Sequence, residues 1–463
     1  MRSNPAEFEF VAPASLESAV KLLAEQKKEW LPIAGGTDVM VQFAAGTLAS
    51  RKLLSIWNLP ELRRIDILPG ELQIGAGCTY TDLREDASIA REFPLLAQAA
   101  SWTGGIANQN RGTLGGNIVN ASPAADSLPM LLVYEADLIL VSVRGQRRIP
   151  CREFYTGYKQ LNLAPDELIR AVCLPRRFSG YLSYSRKVGA RNAQAISKVC
   201  IAALGQLKNE AVADIRIAVG SVAPVPLRLS ETEALLRGKP FDGAAIALAK
   251  ETAAGEISPI NDIRSTAAYR TAVVENLIGE FLERLGRQSA TFSSILARWN
   301  ALPAEEAQKE ILPCCDSQAW AREMVSRRPI TDEAELLAAA SEAWRGLSVT
   351  DWMEAFRSHP RIGDPHSRNA TADRRSAGWS AQEQSAASNL DDSVKRALAE
   401  ANREYEKRFG HIFIVCATGR SAAEILEILN RRLQNDGSIE IREAAEQQLQ
   451  ITNIRLRKWL TTR

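Results

Sequence analysis

The stretch Leu31-Pro32-Ile33-Ala34-Gly35-Gly36-Thr37-Asp38-Val39 decides how the front of this chain is read. An apolar run ends in two adjacent glycines, followed by a hydroxyl, a carboxylate and more apolar residues. Gly35 and Gly36 admit backbone angles and close approaches that a Cβ would obstruct. A turn with bare N–H groups can hold a phosphate. Taken alone, Gly-Gly-Thr-Asp fits an ordinary tight turn better than a binding loop. A second segment gives it weight: Asn108-Gln109-Asn110-Arg111-Gly112-Thr113-Leu114-Gly115-Gly116-Asn117-Ile118-Val119-Asn120. Its glycines lie between amide side chains, a threonine and an arginine, a donor set able to wrap an anion. It lacks the Gly-Lys-Ser/Thr ending of a nucleotide P-loop. In Ser122-Pro-Ala-Ala-Asp126, the carboxylate fits an anchor for a ribose or an amide, or a plain helix cap.

The flanks of these segments carry mixed periodicities. Residues 1–57 read as a small α/β unit, with a helix over 13–24 and strands over 30–34 and 52–56. From there to 175 the pattern mixes strands (72–78, 138–143) and a helix (95–100). The glycines after Leu72 fail the Gly-x-Gly-x-x-Gly fingerprint, because Tyr80 stands where the third belongs, so a Rossmann reading is rejected. Residues 176–290 read as a third unit, with strands over 183–188, 196–204 and 212–219 and helices over 244–254 and 265–285, the last ending near a join at 287–289. From 291 onward strand-like alternation nearly vanishes. The spacing predicts helices over 304–312, 333–347, 349–358, 380–389, 392–409, 421–433 and 440–460, an all-helical domain able to bury its own core.

The totals limit the function. At 463 residues the chain fits about three domains. With 46% hydrophobic and 24% charged residues it has the balance of a soluble globular protein. A formal net charge of only +2 makes nucleic acid a poor partner. No apolar run is long enough for a membrane span, and the start lacks the apolar core of a signal peptide, so the expectation is a cytoplasmic protein. The cysteines (7 in all) are scattered, without Cys-x-x-Cys, which argues against a disulfide framework or an iron–sulfur cluster held within this chain.

On Ile33-Ala-Gly-Gly-Thr-Asp38, Gly112-Thr-Leu-Gly-Gly-Asn117, Ser122-Pro-Ala-Ala-Asp126, Asp166-Glu-Leu-Ile169 and Arg186-Lys187, the chain to about residue 285 resembles the flavin-binding subunit of the xanthine dehydrogenase family, the molybdenum hydroxylases. The resemblance implies an α+β FAD-binding domain of the PCMH/vanillyl-alcohol oxidase type over 1–175, then a C-terminal α/β subdomain over 176–290. It implies bound FAD, with Pro32, Ile33, Ala34, Gly35, Gly36, Thr37 and Asp38 carrying the pyrophosphate on their amides. Residues 108–117, through Asn110, Thr113, Gly115, Gly116 and Asn117, would close over the cofactor. Asp126 would contact its ribityl or adenosine part, and Lys187 would lie near the flavin. Ala-Thr often replaces Gly112-Thr113 in this subunit class. The resemblance further implies partner subunits holding a 2Fe–2S cluster and molybdopterin, with electrons passing to NAD+ or another acceptor. The plainer alternative is a flavoprotein that never joins such a complex.

Residues 291–463 look like 2-oxo-4-hydroxy-4-carboxy-5-ureidoimidazoline (OHCU) decarboxylase, on Phe356-Arg-Ser-His-Pro-Arg-Ile-Gly363, Trp379-Ser-Ala-Gln-Glu-Gln384, Asn402 to Gly410, Phe413-Ile-Val-Cys416 and Ile454-Arg-Leu456. Two departures stand out: Ser385 to Leu390 where Ala-Gly-Leu is common, and Phe409-Gly410-His411 in place of Phe-Gly-Phe. His359 follows a helix and precedes Pro360, which restricts its backbone. A lone histidine is more often structural; the family match reverses that. The resemblance assigns His359 to proton handling at the substrate hydroxyl, Glu383 to sharing that proton and Arg455 to gripping the substrate, with Arg457 as the less favoured arginine. Pro360, Ser380 and Gln384 would contact the ureidoimidazoline. No metal is expected: His359, His366 and Glu383 match no common metal spacing, and His411 reads as a core-edge residue. The joint expectation is a bifunctional purine-catabolism protein. The alternatives are the flavin subunit of another molybdenum hydroxylase, and a scaffold that has lost one or both activities.

Overall fold

The structure, a computed structural model, describes residues 3–25, 29–178, 180–191, 194–208, 211–359, 361, 392–418, 420 and 422–461. Pro360, His366, Ser380, Glu383, Gln384, the 385–390 departure and the expected helix 380–389 lie outside the described residues. The chain divides into two compact units, Met1–Gly286 and Arg287–Arg463.

In the first unit, strands β1 (Glu9–Val11), β2 (Trp30–Ile33) and β3 (Lys52–Ser55) form a parallel sheet in the order β1-β3-β2. Helix Leu16–Glu25 buries Leu16, Ala19, Val20 and Leu23, the i, i+3, i+4, i+7 stripe of one helical face. The apolar run after Asp38 becomes helix Val39–Ala45, closed by left-handed Gly46 at φ 74°.

Strands β4 (Ile65–Leu68), β5 (Glu71–Gly75), β6 (Asp137–Ser142) and β7 (Gly145–Pro150) flank β10 (Leu168–Pro175) in an antiparallel sheet ordered β4-β5-β10-β6-β7; β8 (Tyr155–Gly157) and β9 (Gln160–Leu161) pair separately. The central strand β10 is almost wholly buried, its apolar residues interrupted only by part-exposed Arg170. Strands β11 (Leu182–Val188), β12 (Val199–Lys208), β13 (Ala211–Gly220) and β14 (Leu227–Arg228) then make an antiparallel meander.

Helix Ala267–Ala301 backs that meander with Val274, Leu277, Ile278, Phe281, Leu282 and Leu285. It does not stop near 285 as the sequence reading expects. Apolar spacing continues through Phe292, Ile295, Leu296 and Trp299, and the next proline is Pro303. Gly286 suggests a stop but meets a packing need, since a Cβ there would lie 2.6 Å from the Phe241 ring.

The second unit holds helices Ala304–Ile311, Gln318–Ser326, Glu333–Arg345, Val349–Arg357, Asp392–Phe409, Ala422–Arg432 and Gly437–Thr461. Gln318–Ser326 is absent from the sequence reading. It spans 9 residues, capped by the Ser317 side chain on Trp320 N. Buried indoles anchor the core, each with its N–H satisfied: Trp299 on Ala307 O (3.0 Å), Trp320 on Ala340 O (3.2 Å), Trp344 on Ala445 O (2.9 Å) and Trp459 on Glu310 Oε1 (3.1 Å).

Residues 412–417, outside any helix or strand, run between two apolar clusters. Ile414 and Cys416 pack with the tryptophans, whereas Phe413, Val415 and Ala417 pack with Leu398, Tyr405, Ile425 and Leu429. A buried ion pair secures this segment. Arg432 and Glu440 are both fully buried and bonded to each other, the Tyr405 hydroxyl donates to Glu440, and Arg432 Nη1 donates to Ile414 O at 2.7 Å. Among the described residues no helix is long and apolar enough to cross a membrane.

Candidate functional site

Strand β2 delivers the chain into the first glycine turn, and Gly36 is left-handed at φ +78°. The N–H groups of Gly35, Gly36, Thr37 and Asp38 donate to no described residue. The carbonyls are used: Met40 N donates to Gly36 O (2.9 Å), and Val41 N to Asp38 O (3.0 Å). The Asp38 carboxylate accepts from the Gln42 amide at 2.6 Å, within its own helix. Four successive uncommitted amides on a partly exposed turn form an anion nest, so the residues present fit a diphosphate.

The second glycine segment is built differently. Its N–H groups are largely engaged: Gly112 on Asn108 O (2.6 Å), Leu114 on Cys78 O (2.9 Å), Gly115 on Ala76 O (2.8 Å), Gly116 on Thr113 Oγ1 (3.1 Å) and Asn117 on Thr113 O (3.0 Å). Its glycines permit contact. A Cβ on Gly115 would stand 2.7 Å from the Ala76 Cβ, and one on Gly35 only 1.5 Å from Arg111 O. The two glycine segments therefore touch backbone to backbone, 76 positions apart in sequence.

From that contact the expected residues form one tract. Asn110 accepts from the Thr81 hydroxyl at 2.5 Å, and Asn117 from Ser127 at 2.7 Å. The next residue, Asp126, is buried. One carboxylate oxygen accepts from Lys187 Nζ at 2.6 Å, the other from the Ser197 hydroxyl, while Lys187 also donates to Trp102 O at 3.0 Å. Burial pushes the Asp126 carboxyl up, against the pull of Lys187. The side chain does not cap helix Ser127–Val133. It ties the glycine tract to strand β11 and to the segment just ahead of β12. Pro32 and Ile33 lie on β2, and Ala34 leads into the turn.

In the second unit, His359 follows helix Val349–Arg357 and is buried, its N–H bonded to Phe356 O at 3.2 Å. Gln448, Thr452 and Arg455 share one face of helix Gly437–Thr461 and are buried. Arg455 Nη1 meets Asp316 Oδ2 at 3.3 Å, and the Gln448 amide donates to Cys315 O and Thr452 Oγ1, both at 3.4 Å. Burial drives the His359 imidazole down to about 3, the charge of Arg455 adds to this, and the Gln448 side chain pulls the other way. The ring is neutral at physiological pH. Arg457 instead pairs with Glu333 at 2.8 Å and is a third exposed (33%), which leaves Arg455 as the interior arginine. His411 packs its ring on Phe356 and Tyr405, with Nδ1 2.9 Å from Ile412 O.

Three features here escape the sequence reading. Gln448 and Asp316 reach the His359–Arg455 region from the last helix and from a turn where Asp316 takes φ +62°. The buried N–H groups of Phe413, Ile414 and Val415 donate to no described residue. Buried backbone donors are almost always paired, so these three in succession are candidate ligand contacts. The only signal for them is the strand-like Phe-Ile-Val-Cys alternation inside a helical domain.

The neutral state of His359 makes stability depend on pH. Its folded value lies below the roughly 6.5 of an unfolded chain, so the unfolded state takes up the proton first. This contribution is intact above about pH 6.5 and is lost as pH falls towards 3. Between about pH 6.5 and pH 5, the H359Q chain should lose less stability in its second unit than the parent, by on the order of 1–2 kcal/mol. Denaturant midpoints at the two pH values measure this; parallel losses in both chains would show that the ring is not held neutral.

Residues 6–177 match the FAD-binding domain of molybdopterin dehydrogenases, 184–285 the C-terminal domain of CO dehydrogenase flavoproteins, and 300–457 OHCU decarboxylase. The xanthine dehydrogenase FAD-binding subunit of Escherichia coli O157:H7 is 33% identical over 266 residues, which are 57% of this chain and 91% of that one. The uric acid degradation bifunctional protein TTL of Arabidopsis thaliana is 38% identical over 155 residues, 33% of this chain and 47% of that one. A solved carbon monoxide dehydrogenase from Hydrogenophaga pseudoflava superposes with a TM-score of 0.58 at 28% identity, covering 60% of this chain and 96% of the matched one.

Proposed function

The chain belongs to the family of xanthine dehydrogenase FAD-binding subunits and carries an OHCU decarboxylase domain behind it, and from that premise we propose a cytoplasmic protein that serves two steps of purine breakdown. The first unit, an FAD-binding domain of the PCMH/vanillyl-alcohol oxidase type with its C-terminal subdomain, would hold FAD with the diphosphate on the amides of Gly35 to Asp38. Asn117, Asp126 and Lys187 would line the remainder of the tract. When bound, the flavin supplies transfer of one or two electrons at a time. This chain would work beside subunits carrying a 2Fe–2S cluster and molybdopterin, with NAD+ or another acceptor as the exit. The expected division at 175 and 290 remains the domain reading.

The second unit would decarboxylate 2-oxo-4-hydroxy-4-carboxy-5-ureidoimidazoline to (S)-allantoin. The observation that carries this reading is a buried imidazole, its pKa driven down by burial and by the charge of a fully buried guanidinium, Arg455. Arg455 would take the anionic end of the substrate, since a guanidinium fork suits planar oxyanions. Binding that anion offsets the positive field that depresses His359, which raises its proton affinity when a proton must be taken from the substrate hydroxyl. CO2 then leaves, and the electron pair of the broken C–C bond stays on an enolate-like carbanion that must be protonated on one face. The amides of Phe413 to Val415 would receive developing oxyanion charge. Glu383 would share the His359 proton, and Pro360, Ser380 and Gln384 would contact the ureidoimidazoline.

The test uses the purified full chain. It should carry the visible absorption of a bound flavin and convert freshly generated ureidoimidazoline to allantoin of one hand, followed by circular dichroism. A chain that takes up no added FAD removes the first reading, and racemic allantoin at the uncatalysed rate removes the second.

A further inference from the structure

Arg111 sits where the two glycine segments touch. Its carbonyl oxygen fills the space a Cβ on Gly35 would need, so its backbone is fixed against the turn. The side chain folds back over that turn. Nε donates to Gly35 O at 3.2 Å, and the guanidinium lies 3.9 Å from the centre of the Trp57 ring. A second guanidinium, Arg63, lies 4.6 Å from the same ring and meets Asp82 at 3.4 Å. Arg111 has no such acid: no described carboxylate lies within ion-pair distance, and its two terminal nitrogens donate to no described residue. Asp38, the acid of the turn, is engaged by Gln42. Two cations thus share one indole beside four uncommitted N–H groups, with a single carboxylate between them.

We propose that the Arg111 guanidinium is the counter-charge for the cofactor diphosphate on Gly35 to Asp38, aimed in advance by Gly35 O and by the Trp57 face. The inference rests on the FAD reading above and adds a residue that sets affinity. With Nε anchored, the terminal N–H donors stay uncommitted to described residues, and such a fork suits two phosphate oxygens. Little side-chain freedom remains to be lost on binding. Because Arg111 is exposed, its contribution is screened by salt.

Flavin-stripped full chain is titrated with FAD and, separately, with riboflavin, which lacks phosphate. Binding is read from flavin absorbance and from tryptophan emission, with W57F identifying the Trp57 share. R111A should raise the Kd for FAD roughly tenfold and leave that for riboflavin unchanged. R111K, which keeps the charge and loses the fork, should fall between. The gap between R111A and parent should narrow as salt rises. FAD affinity equal to the parent's in R111A, or an equal loss for riboflavin, overturns the proposal. If R111A does not fold, unweakened FAD binding by R111K overturns it. A parent chain that binds no FAD instead refutes the reading on which the inference rests.

Discussion

His359→Asn should lower decarboxylation turnover by about 10²- to 10⁴-fold, the range lost with a positioned proton carrier. Asparagine keeps much of the volume and a hydrogen-bonding edge but cannot take a proton at neutral pH. The buried ring is held neutral by desolvation and by Arg455, so it is in its proton-accepting form before substrate arrives. Arg455→Met should act differently. It removes the group proposed to bind the anionic end and leaves Asp316 without its buried partner, so KM should rise as kcat falls. Initial rates of (S)-allantoin formation separate the two, with flavin content as the internal control. Turnover by H359N within a few fold of the parent would remove His359 from the chemistry.

The second large effect concerns Gly35. Gly35→Ala should yield a colourless protein that keeps its decarboxylase activity. The new Cβ would lie 1.5 Å from Arg111 O and 2.4 Å from Arg111 C. Both atoms belong to backbone, so no side-chain rotation relieves the overlap and the two glycine segments must separate. Overpacking of this kind costs about 1–3 kcal/mol or more, and each 1.4 kcal/mol taken from cofactor binding is about tenfold in affinity. Gly36→Ala should be milder. Its nearest neighbours would be 3.4 Å away, and only the left-handed φ of +78° opposes it, at about 1–2 kcal/mol. The ratio of visible to ultraviolet absorbance ranks the three chains. A G35A chain as yellow as the parent would show that the backbone contact is irrelevant to cofactor retention.

What the sequence discloses and what it hides follow physical lines. Period-two and period-3.6 patterns place β2, β3, β5 and most helices of the second unit, because each element buries one face against a single layer. The end of helix Ala267–Ala301 is misread because Gly286 has two explanations locally, and only the Phe241 ring decides between them. The glycine segments are both visible, yet their division of labour is not. Uncommitted amides on Gly35 to Asp38 and engaged ones on Gly112 to Asn117 become distinct only once partners such as Ala76 and Cys78 are known. Asp126 reads as a cap or a ligand anchor, but its Lys187 and Ser197 bonds span 61 and 71 positions. Gln448 and Asp316 are ordinary polar residues until a helix face and a turn bring them beside His359.

The alternating segment 412–417 has a consequence for tolerated change. Its odd and even side chains belong to separate cores, so sliding the chain by one position would exchange Phe413 and Val415 for Ile414 and Cys416 in both at once. Among the described residues no neighbouring strand fixes this register. The Arg432 bond to Ile414 O and unequal side-chain volumes do so instead. Insertions or deletions between Gly410 and Ala417 should therefore be nearly absent among functional variants, whereas single replacements of similar size survive.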